Sequence, residues 1–251
     1  MEQGVYQQFY DLEQDHWWFA GMRAICRSLL KRLWLGSDRG PTTCLDVGCG
    51  TGLWTKELDA FGHVCGLDVA PDALHFCRKR GIDRLVRATV EHLPFRPDSF
   101  NLITALGLIE HLDDDTRFLS ELSRVCRPGG YVLLLTSAYD FLWSRHDDIV
   151  HHKRRYTKAQ FLRLLTTSGF DVMRTTYVNT FLFVPILAIR LLQRVSPASA
   201  ITHNGSPDVF MPAPWVNGLL YAILRAEARL ASVVSFPFGV GLLAVARKPM
   251  N

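Results

Sequence analysis

Between Thr42 and Ala138, short apolar runs alternate repeatedly with helical patterns, and this alternation restricts the fold more than any other feature of the 251-residue chain. CLDV (44–47) precedes a helical pattern over 53–60, and HVCGLDV (63–69) precedes one over 72–80. RLVRATV (84–90) runs into the loop EHLPFRPDS. FNLITAL (100–106) leads to a helix over 115–127 that Arg127-Pro128-Gly129-Gly130 should stop, and YVLLLTSA (131–138) closes the series. The runs are β-rich and largely apolar throughout, as expected of parallel strands covered on both faces. Strand–helix alternation of this kind predicts a doubly wound α/β sheet, and right-handed crossovers leave few topologies for it.

The flanks read as additions to that sheet. Residues 1–40 form an N-terminal helical cap rich in aromatics (Tyr6, Phe9, Tyr10, Trp17, Trp18, Phe19), ended by Gly36 and Gly40–Pro41. A helix over 157–168 and a sixth strand, FDVMRTTYV (170–178), follow the series, and GVGLLAVARKP reads as a last strand. The expected organisation is one domain: core sheet over 42–178 and 237–249, with a helical insertion over 179–236. The six cysteines are scattered with no C-x-x-C pair, so they read as reduced thiols and no metal site is expected. With no apolar leader and no run of about 18 apolar residues, a cytoplasmic location is expected.

Glycine spacing decides which nucleotide the first strand-to-helix turn suits. In LDVGCGTG the glycines are Gly48, Gly50 and Gly52, so the third comes one residue earlier than in the G-x-G-x-x-G turn that faces a pyrophosphate. Asp46, two residues before the first glycine, would repel a pyrophosphate at close range. It suits a cationic cofactor such as S-adenosylmethionine (SAM), whose amino group it could accept from directly or through water. Asp68, in GLDVA at the end of the next strand, lies about 20 residues on and can accept from ribose hydroxyls. NAD and SAM sites share that geometry, so Asp68 indicates a ribose without choosing the cofactor.

Taken in order, LDVGCGTG, GLDVA, ATVEHLPFRPDSFNLITALGLIEHL and SRVCRPGG resemble the successive motifs of class I SAM-dependent methyltransferases, of the methyltransferase type 11-like, small-molecule subgroup. The resemblance covers residues of about 42–138. It implies a seven-stranded Rossmann-like sheet of order 3-2-1-4-5-7-6 with its last strand antiparallel, SAM as cofactor and S-adenosylhomocysteine (SAH) as product. By the same resemblance Asp46, Gly48, Cys49, Gly50 and Gly52 line the methionine end, Asp68 and Val69 flank ribose and adenine, Thr89 and Val90 lie at the adenine edge, and Leu106 lies under the cofactor. Thr89 stands where an aspartate is common, and Asn101 where SFD is common.

The remaining candidates concern the acceptor. The stretch LWSRHDDIVHHKRRYT follows the fifth strand and offers His146 first and His152 second as a general base for a hydroxyl. The alternative is a solvated, salt-bridged loop capped by Thr157. A block of GH-x-RRY type is common in one subgroup of these enzymes, whose N-termini also carry HWWF. Here Val150–His151 replace that glycine's neighbourhood, which predicts a different local turn. His111 is a weaker candidate base, with Asp113, Asp114 and Asp115 as N-caps nearby. In DHWWFAGMR, Arg23 is a candidate partner for the methionine carboxylate if this segment is a lid, the alternative being a helix packed on the sheet. The apolar helices of 179–236 could pack on the sheet, roof a pocket for an amphipathic acceptor, or make peripheral membrane contact helped by Arg190, Arg194, Arg225 and Arg229.

A small-molecule methyltransferase acting on an amphipathic, lipid-like or natural-product acceptor is the leading expectation, with O- or C-methylation favoured. A non-catalytic SAM-binding regulatory or scaffold protein is the alternative, and an NAD-dependent oxidoreductase is disfavoured by the glycine spacing and Asp46. Nucleic acid is not expected as a partner: ALGLIEH stands where an S/N-P-P-Y/F tetrapeptide would be, and no basic, aromatic-interleaved module is attached. The net charge of +4 argues neither way.

Overall fold

A computed structural model describes residues 3–34, 42–195 and 210–250. Its strands are β1 (Thr43–Val47), β2 (His63–Asp68), β3 (Leu85–Arg87), β4 (Phe100–Leu106), β5 (Cys126–Ser137), β6 (Asp171–Val178) and β7 (Gly241–Arg247). Its helices are α1 (Gln3–Leu12), α2 (Trp17–Trp34), α3 (Leu53–Leu58), α4 (Pro71–Lys79), α5 (Asp115–Val125), α6 (Arg145–Ile149), α7 (Lys158–Thr167), α8 (Phe183–Val195) and α9 (Pro214–Ala231). The strands form one sheet of order β3-β2-β1-β4-β5-β7-β6. β1 pairs in parallel with β2 and β4, and β7 lies antiparallel between β5 and β6. The carboxyl ends of β1, β2 and β4 therefore share one edge, where a doubly wound sheet presents its ligand crevice.

Both faces of the sheet are covered, and the pleat sorts side chains between them. From β5, Val132 and Leu134 join Phe118, Leu122, Phe161 and Leu165 of α5 and α7 on one face. Tyr131 and Leu133 join Ile25, Leu29, Leu30, Leu224 and Ala228 of α2 and α9 on the other. The same alternation runs through β7, with Leu242, Ala244 and Ala246 facing one layer and Leu243 and Val245 the other. This period of two explains the unbroken apolar runs, since every position meets a covering helix.

Two elements differ from expectation for identifiable reasons. The expected strand over 84–90 shrinks to Leu85–Arg87, because this edge strand pairs only with Gly66–Asp68 and then leaves the sheet, taking Thr89 and Val90 out of it. The Pro-Gly-Gly stretch ends α5 at Val125 but does not break the chain between helix and strand. β5 starts at Cys126, Gly129 takes φ +74°, and the register with β4 shifts between Phe100 and Leu102. Gly129 N–H also donates to the Lys248 carbonyl at 2.9 Å, which carries the β5–β7 pairing through the turn.

The N-terminal segment is two helices, α1 and α2. α2 is a covering helix of the sheet, in close contact with α9 along its length. A Cβ on Gly21 would meet Leu224 Cδ1 at 2.3 Å, so the two helix backbones approach as only glycine permits. The helix stop expected at Gly36 and Gly40–Pro41, most of the expected loop between the two insertion helices, and the Arg194 side chain lie outside the described residues.

Candidate active site

Left-handed backbone shapes the turn after β1. Gly48, Gly50 and Gly52 take φ of +71°, +53° and +88°, values that cost a side-chain-bearing residue about 1 kcal/mol or more. The N–H groups of Gly48 and Cys49 both donate to the Leu67 carbonyl, at 2.8 and 3.0 Å, and fold the turn back on the end of β2. Gly52 is also needed for space, since a Cβ there would meet Cys77 Sγ at 2.7 Å and Ile82 Cδ1 at 2.8 Å. Gly50 is different: a Cβ there would meet nothing within 4 Å, and the same holds for Gly107 (φ +65°) at the end of β4. Bare backbone thus faces open space at the ends of both β1 and β4. Cys49 turns its side chain inward, to 3.8 Å from Cys77 Sγ, so its part in lining the turn is through backbone.

Asp68 closes the turn from the end of β2. Its Oδ2 accepts the Gly50 N–H at 3.0 Å and its Oδ1 the Ala70 N–H at 2.9 Å. Each oxygen keeps a further lone pair, so the carboxylate can still take two outside donors. Burial raises its pKa, and the backbone N–H groups of Ala70 and Gly50 oppose that rise. Val69, the next residue, is 56% exposed, an apolar side chain presented to solvent beside a buried carboxylate. Thr89 is exposed, Val90 buried and Leu106 half-buried.

Asp46, expected at the methionine end, has partners inside the fold. It is buried within the strand ends, and its two oxygens accept from Thr55 Oγ1 at 2.6 Å and Thr104 Oγ1 at 2.7 Å, with Trp54 Nε1 donating to Thr104 in turn. Through these bonds the carboxylate holds α3 against β4. Burial pushes its pKa up to about 6 against the pull of the two hydroxyls.

Arg23, the candidate partner for the methionine carboxylate, is also engaged within the fold. Its Nε donates to Glu57 Oε1 at 2.8 Å, its Nη1 to the Glu13 carbonyl, and its Nη2 to the Gln14 carbonyl at 3.2 Å. These bonds tie the α1–α2 turn to α3 and make Arg23 a strut, with one further N–H on each of Nη1 and Nη2. The residue that does reach the glycine turn is Glu13, which sequence reasoning did not single out. Its Oε1 accepts from the Thr51 hydroxyl and from Arg80 Nη2, while Arg80 Nε donates to the Thr51 carbonyl at 3.0 Å. Burial raises the Glu13 pKa despite these donors. Within the aromatic stretch, His16 Nδ1 accepts the Trp18 N–H at 3.3 Å, and its ring sits 5.7 Å from Trp17.

Beyond β4 the chain passes from the turn to a histidine cluster within one short loop. Leu108 packs on Gly48, where a Cβ would meet Leu108 Cδ1 at 3.0 Å. Glu110 is buried and accepts from Thr136 Oγ1 (3.0 Å), Ser137 N–H (3.1 Å) and Ser137 Oγ (3.2 Å), joining the ends of β4 and β5. His111 follows, with its ring 4.6 Å from that of His152, and burial lowers its pKa. His152 Nδ1 lies 2.7 Å from Asp147 Oδ1. Arg155 grips the same carboxylate with Nε at 2.8 Å and Nη2 at 3.0 Å, and the Ser144 N–H adds a bond at 2.8 Å. Burial alone would raise the Asp147 pKa, but His152 and Arg155 outweigh it and hold the carboxyl well below the usual range. His146 lies on α6 with its ring 6.2 Å from His152. Of the two histidines expected as bases, His152 bonds to the buried Asp147 carboxylate.

The turn at His151 is the one a glycine would make. His151 takes φ +60°, the left-handed region that a glycine adopts without strain. Asp114 is the N-cap of α5, accepting the Arg117 N–H at 2.8 Å. Among the described residues, no three His, Cys, Asp or Glu side chains are grouped to hold a metal ion.

Residues 45–134 match a family described as a methyltransferase domain. Over 172 residues the chain is 30% identical to a probable S-adenosylmethionine-dependent methyltransferase of Mycolicibacterium smegmatis, covering 65% of this chain and 63% of that one. It is 29% identical to the ubiquinone biosynthesis O-methyltransferase of Aeromonas salmonicida (51% and 62% covered) and 26% identical to the probable tRNA methyltransferase 9B of Homo sapiens (55% and 30% covered). The chain thus spans less than two thirds of each of these relatives. Among solved structures, the methyltransferase bound to the Haloferax volcanii Trm112 activator superposes with a TM-score of 0.61 at 17% identity, covering 99% and 98% of the two chains. The [4+2]-cyclase SpnF superposes with a TM-score of 0.57 at 20% identity, covering 90% and 81%. These two likenesses show the fold.

Proposed function

We propose that this chain, which carries a methyltransferase domain over residues 45–134, is a class I SAM-dependent methyltransferase that methylates an oxygen of an amphipathic small molecule, with His152 as the base. SAM, when bound, supplies an electrophilic methyl group on a sulfonium, and SAH is what remains. The residues present fit that cofactor. Gly50 and Gly107 leave bare backbone and open space where a ligand must approach closely, Asp68 retains acceptor capacity for two hydroxyls, and exposed Val69 offers an apolar face beside it. Gly48, Gly50 and Gly52 would hold the methionine end, Asp68 the ribose, and Val69 and Val90 the adenine. Thr89 would meet the adenine edge with a neutral hydroxyl.

The observation that carries the choice of oxygen is the His152–Asp147–Arg155 array. Asp147 stays ionised against His152 Nδ1, and an imidazole that donates its Nδ1 proton to this carboxylate presents Nε2 as an acceptor. A hydroxyl brought to Nε2 gives up its proton there, and the developing imidazolium is stabilised by Asp147, whose second oxygen is anchored by Arg155. Leu108 links this array to the glycine turn, so acceptor and cofactor would be held side by side, and orientation supplies much of the acceleration. The ubiquinone O-methyltransferase relative is in keeping with a hydroxyl acceptor on an apolar molecule. The tRNA methyltransferase relative sets the competing acceptor class.

Calorimetric titration with SAM, SAH and NADH tests the cofactor, and SAH release with amphipathic phenols or with tRNA tests the acceptor. Binding of SAM and SAH without NADH, with release driven by phenols and reduced in His152→Ala, is the expected result. NADH binding alone, or release driven only by tRNA, overturns the reading.

A further inference from the structure

The insertion between β6 and β7 carries an outward surface unlike the rest of the molecule. On α8, Val184, Pro185, Ala188, Ile189, Leu191 and Leu192 are all exposed, with Val184 at 67% and Leu192 at 64%. At 100° per residue they fall on one face, while Leu182, Phe183, Ile186, Leu187 and Arg190 fall on the other and are buried or half-buried. The solvent face of α8 therefore has no polar side chain at any described position, the reverse of an ordinary surface helix. α9 repeats the pattern. Trp215 (75% exposed), Leu219, Ala222, Ala226 and Leu230 share its outer face, and Arg225 and Arg229 stand exposed along one edge.

Charge distinguishes what this surface would meet. Across the described residues of 180–240 the only acid is Glu227, which is buried and accepts the Thr180 and Phe181 N–H groups at 2.8 and 3.1 Å. Exposed charge there is basic. An apolar face containing tryptophan and edged by arginine, with no exposed acid, matches the boundary of an anionic bilayer, where apolar groups enter the acyl region and cations meet headgroup phosphates. No helix among the described residues is long and apolar enough to cross a membrane, so contact would be along the surface.

We propose that the outer surface of the insertion, α8 with the exposed face of α9, docks on an anionic phospholipid bilayer. The surface continues into the site. Phe183, at the start of α8, lies 5.4 Å from Phe238 and 6.2 Å from Tyr139, ring to ring. Tyr139 follows β5 and stacks on Tyr177 at 5.1 Å and on Phe141 at 4.8 Å. An aromatic wall thus runs from the bilayer-facing helix to the strand ends beside Glu110 and His152, a route for an acceptor drawn from the lipid phase. The docking itself rests on the two helix faces and not on the reading of the active site.

Co-sedimentation of the full chain with vesicles tests it, using phosphatidylcholine alone and equal parts phosphatidylcholine and phosphatidylglycerol. The wild type should pellet with the mixed vesicles, in a salt-sensitive manner, about tenfold more strongly than with neutral ones. Val184→Glu/Leu192→Glu should abolish pelleting, and Arg225→Gln/Arg229→Gln should remove the preference for anionic lipid. Unchanged circular dichroism and SAH affinity would show that both variants fold, because every substituted position is exposed. Wild-type protein that stays in the supernatant, or a glutamate variant that pellets like wild type, overturns the proposal. So does a wild-type dimer in sedimentation equilibrium that the glutamates dissociate without any vesicle binding, since the face would then belong to a second copy.

Discussion

Asn217 accepts the Trp17 N–H at 2.9 Å and donates to the Asp15 carbonyl at 2.8 Å, so a side chain of α9 caps α2 from 200 positions away. Removing an N-cap costs about 1 kcal/mol, and here the same change unpairs a carbonyl. Asn217→Ala should lower unfolding stability by about 1–2 kcal/mol in urea titrations. Hydrogen exchange should rise in both helices together, because the contact belongs to both. Faster exchange confined to α9 would show that the helices are not coupled through this residue.

Asp68 serves the turn and, on the proposed function, the ribose. Asp68→Ala removes an anionic acceptor, and bonds to charged groups are worth about 1.5–3 kcal/mol. SAH affinity should fall by about a hundredfold in calorimetry. An unchanged affinity would move the ribose elsewhere.

Asp147 positions His152 and neutralises Arg155 within the same buried array. Asp147→Asn leaves Arg155 without its counter-charge, an effect of about 3 kcal/mol on stability. His152→Ala removes one donor to that carboxylate and should cost about 1.5–3 kcal/mol of stability, while reducing turnover by about a hundredfold or more. SAH affinity should be retained in both. If His152→Ala keeps full turnover on hydroxyl acceptors while His111→Ala loses it, the base is His111.

Buried Asp46 makes a pH signature. Its folded pKa of about 6 lies above the ordinary aspartate value of 3.8, so between those values the folded state holds a proton that the unfolded state has released. Stability from this group therefore falls as pH rises through that window, by about 3 kcal/mol in total. Asp46→Asn should flatten the stability profile between about pH 4 and pH 6, measured by urea unfolding at stepped pH. A wild-type profile that rises there with the same slope as the variant's would contradict the burial argument.

His151 stores backbone strain at φ +60°. His151→Gly should stabilise the protein by about 0.5–1 kcal/mol, the left-handed penalty less the extra freedom of glycine when unfolded. His151→Ala should be near neutral. Equal effects from both would mean that the imidazole, not the backbone, sets the energy at this position.

The order of elements, the sheet class and the glycine turn were legible in the sequence because they depend on local chemistry. Apolar runs between helical patterns have one economical packing, and φ above zero at Gly48, Gly50 and Gly52 is a property of glycine itself. Asp68 was legible for the same reason, since a carboxylate closing the strand next to a glycine turn has few other places to point. What the sequence left open were contacts between segments far apart in the chain. Arg23 had a plausible ligand, but only the folded molecule brings Glu57 and the Glu13 and Gln14 carbonyls to its three nitrogens. Asp46 lay at the expected strand end, but its bonds to Thr55 and Thr104 came only with the fold. The histidines of 146–152 were visible as a group, and the choice among them came from Arg155 and His152 sharing one buried carboxylate. The sequence also held the apolar helices of 179–236 without saying which face would be covered. Burial depends on what packs where, and only the tertiary structure shows that α2 covers one side of α9 while the outer face of α8 is left to solvent.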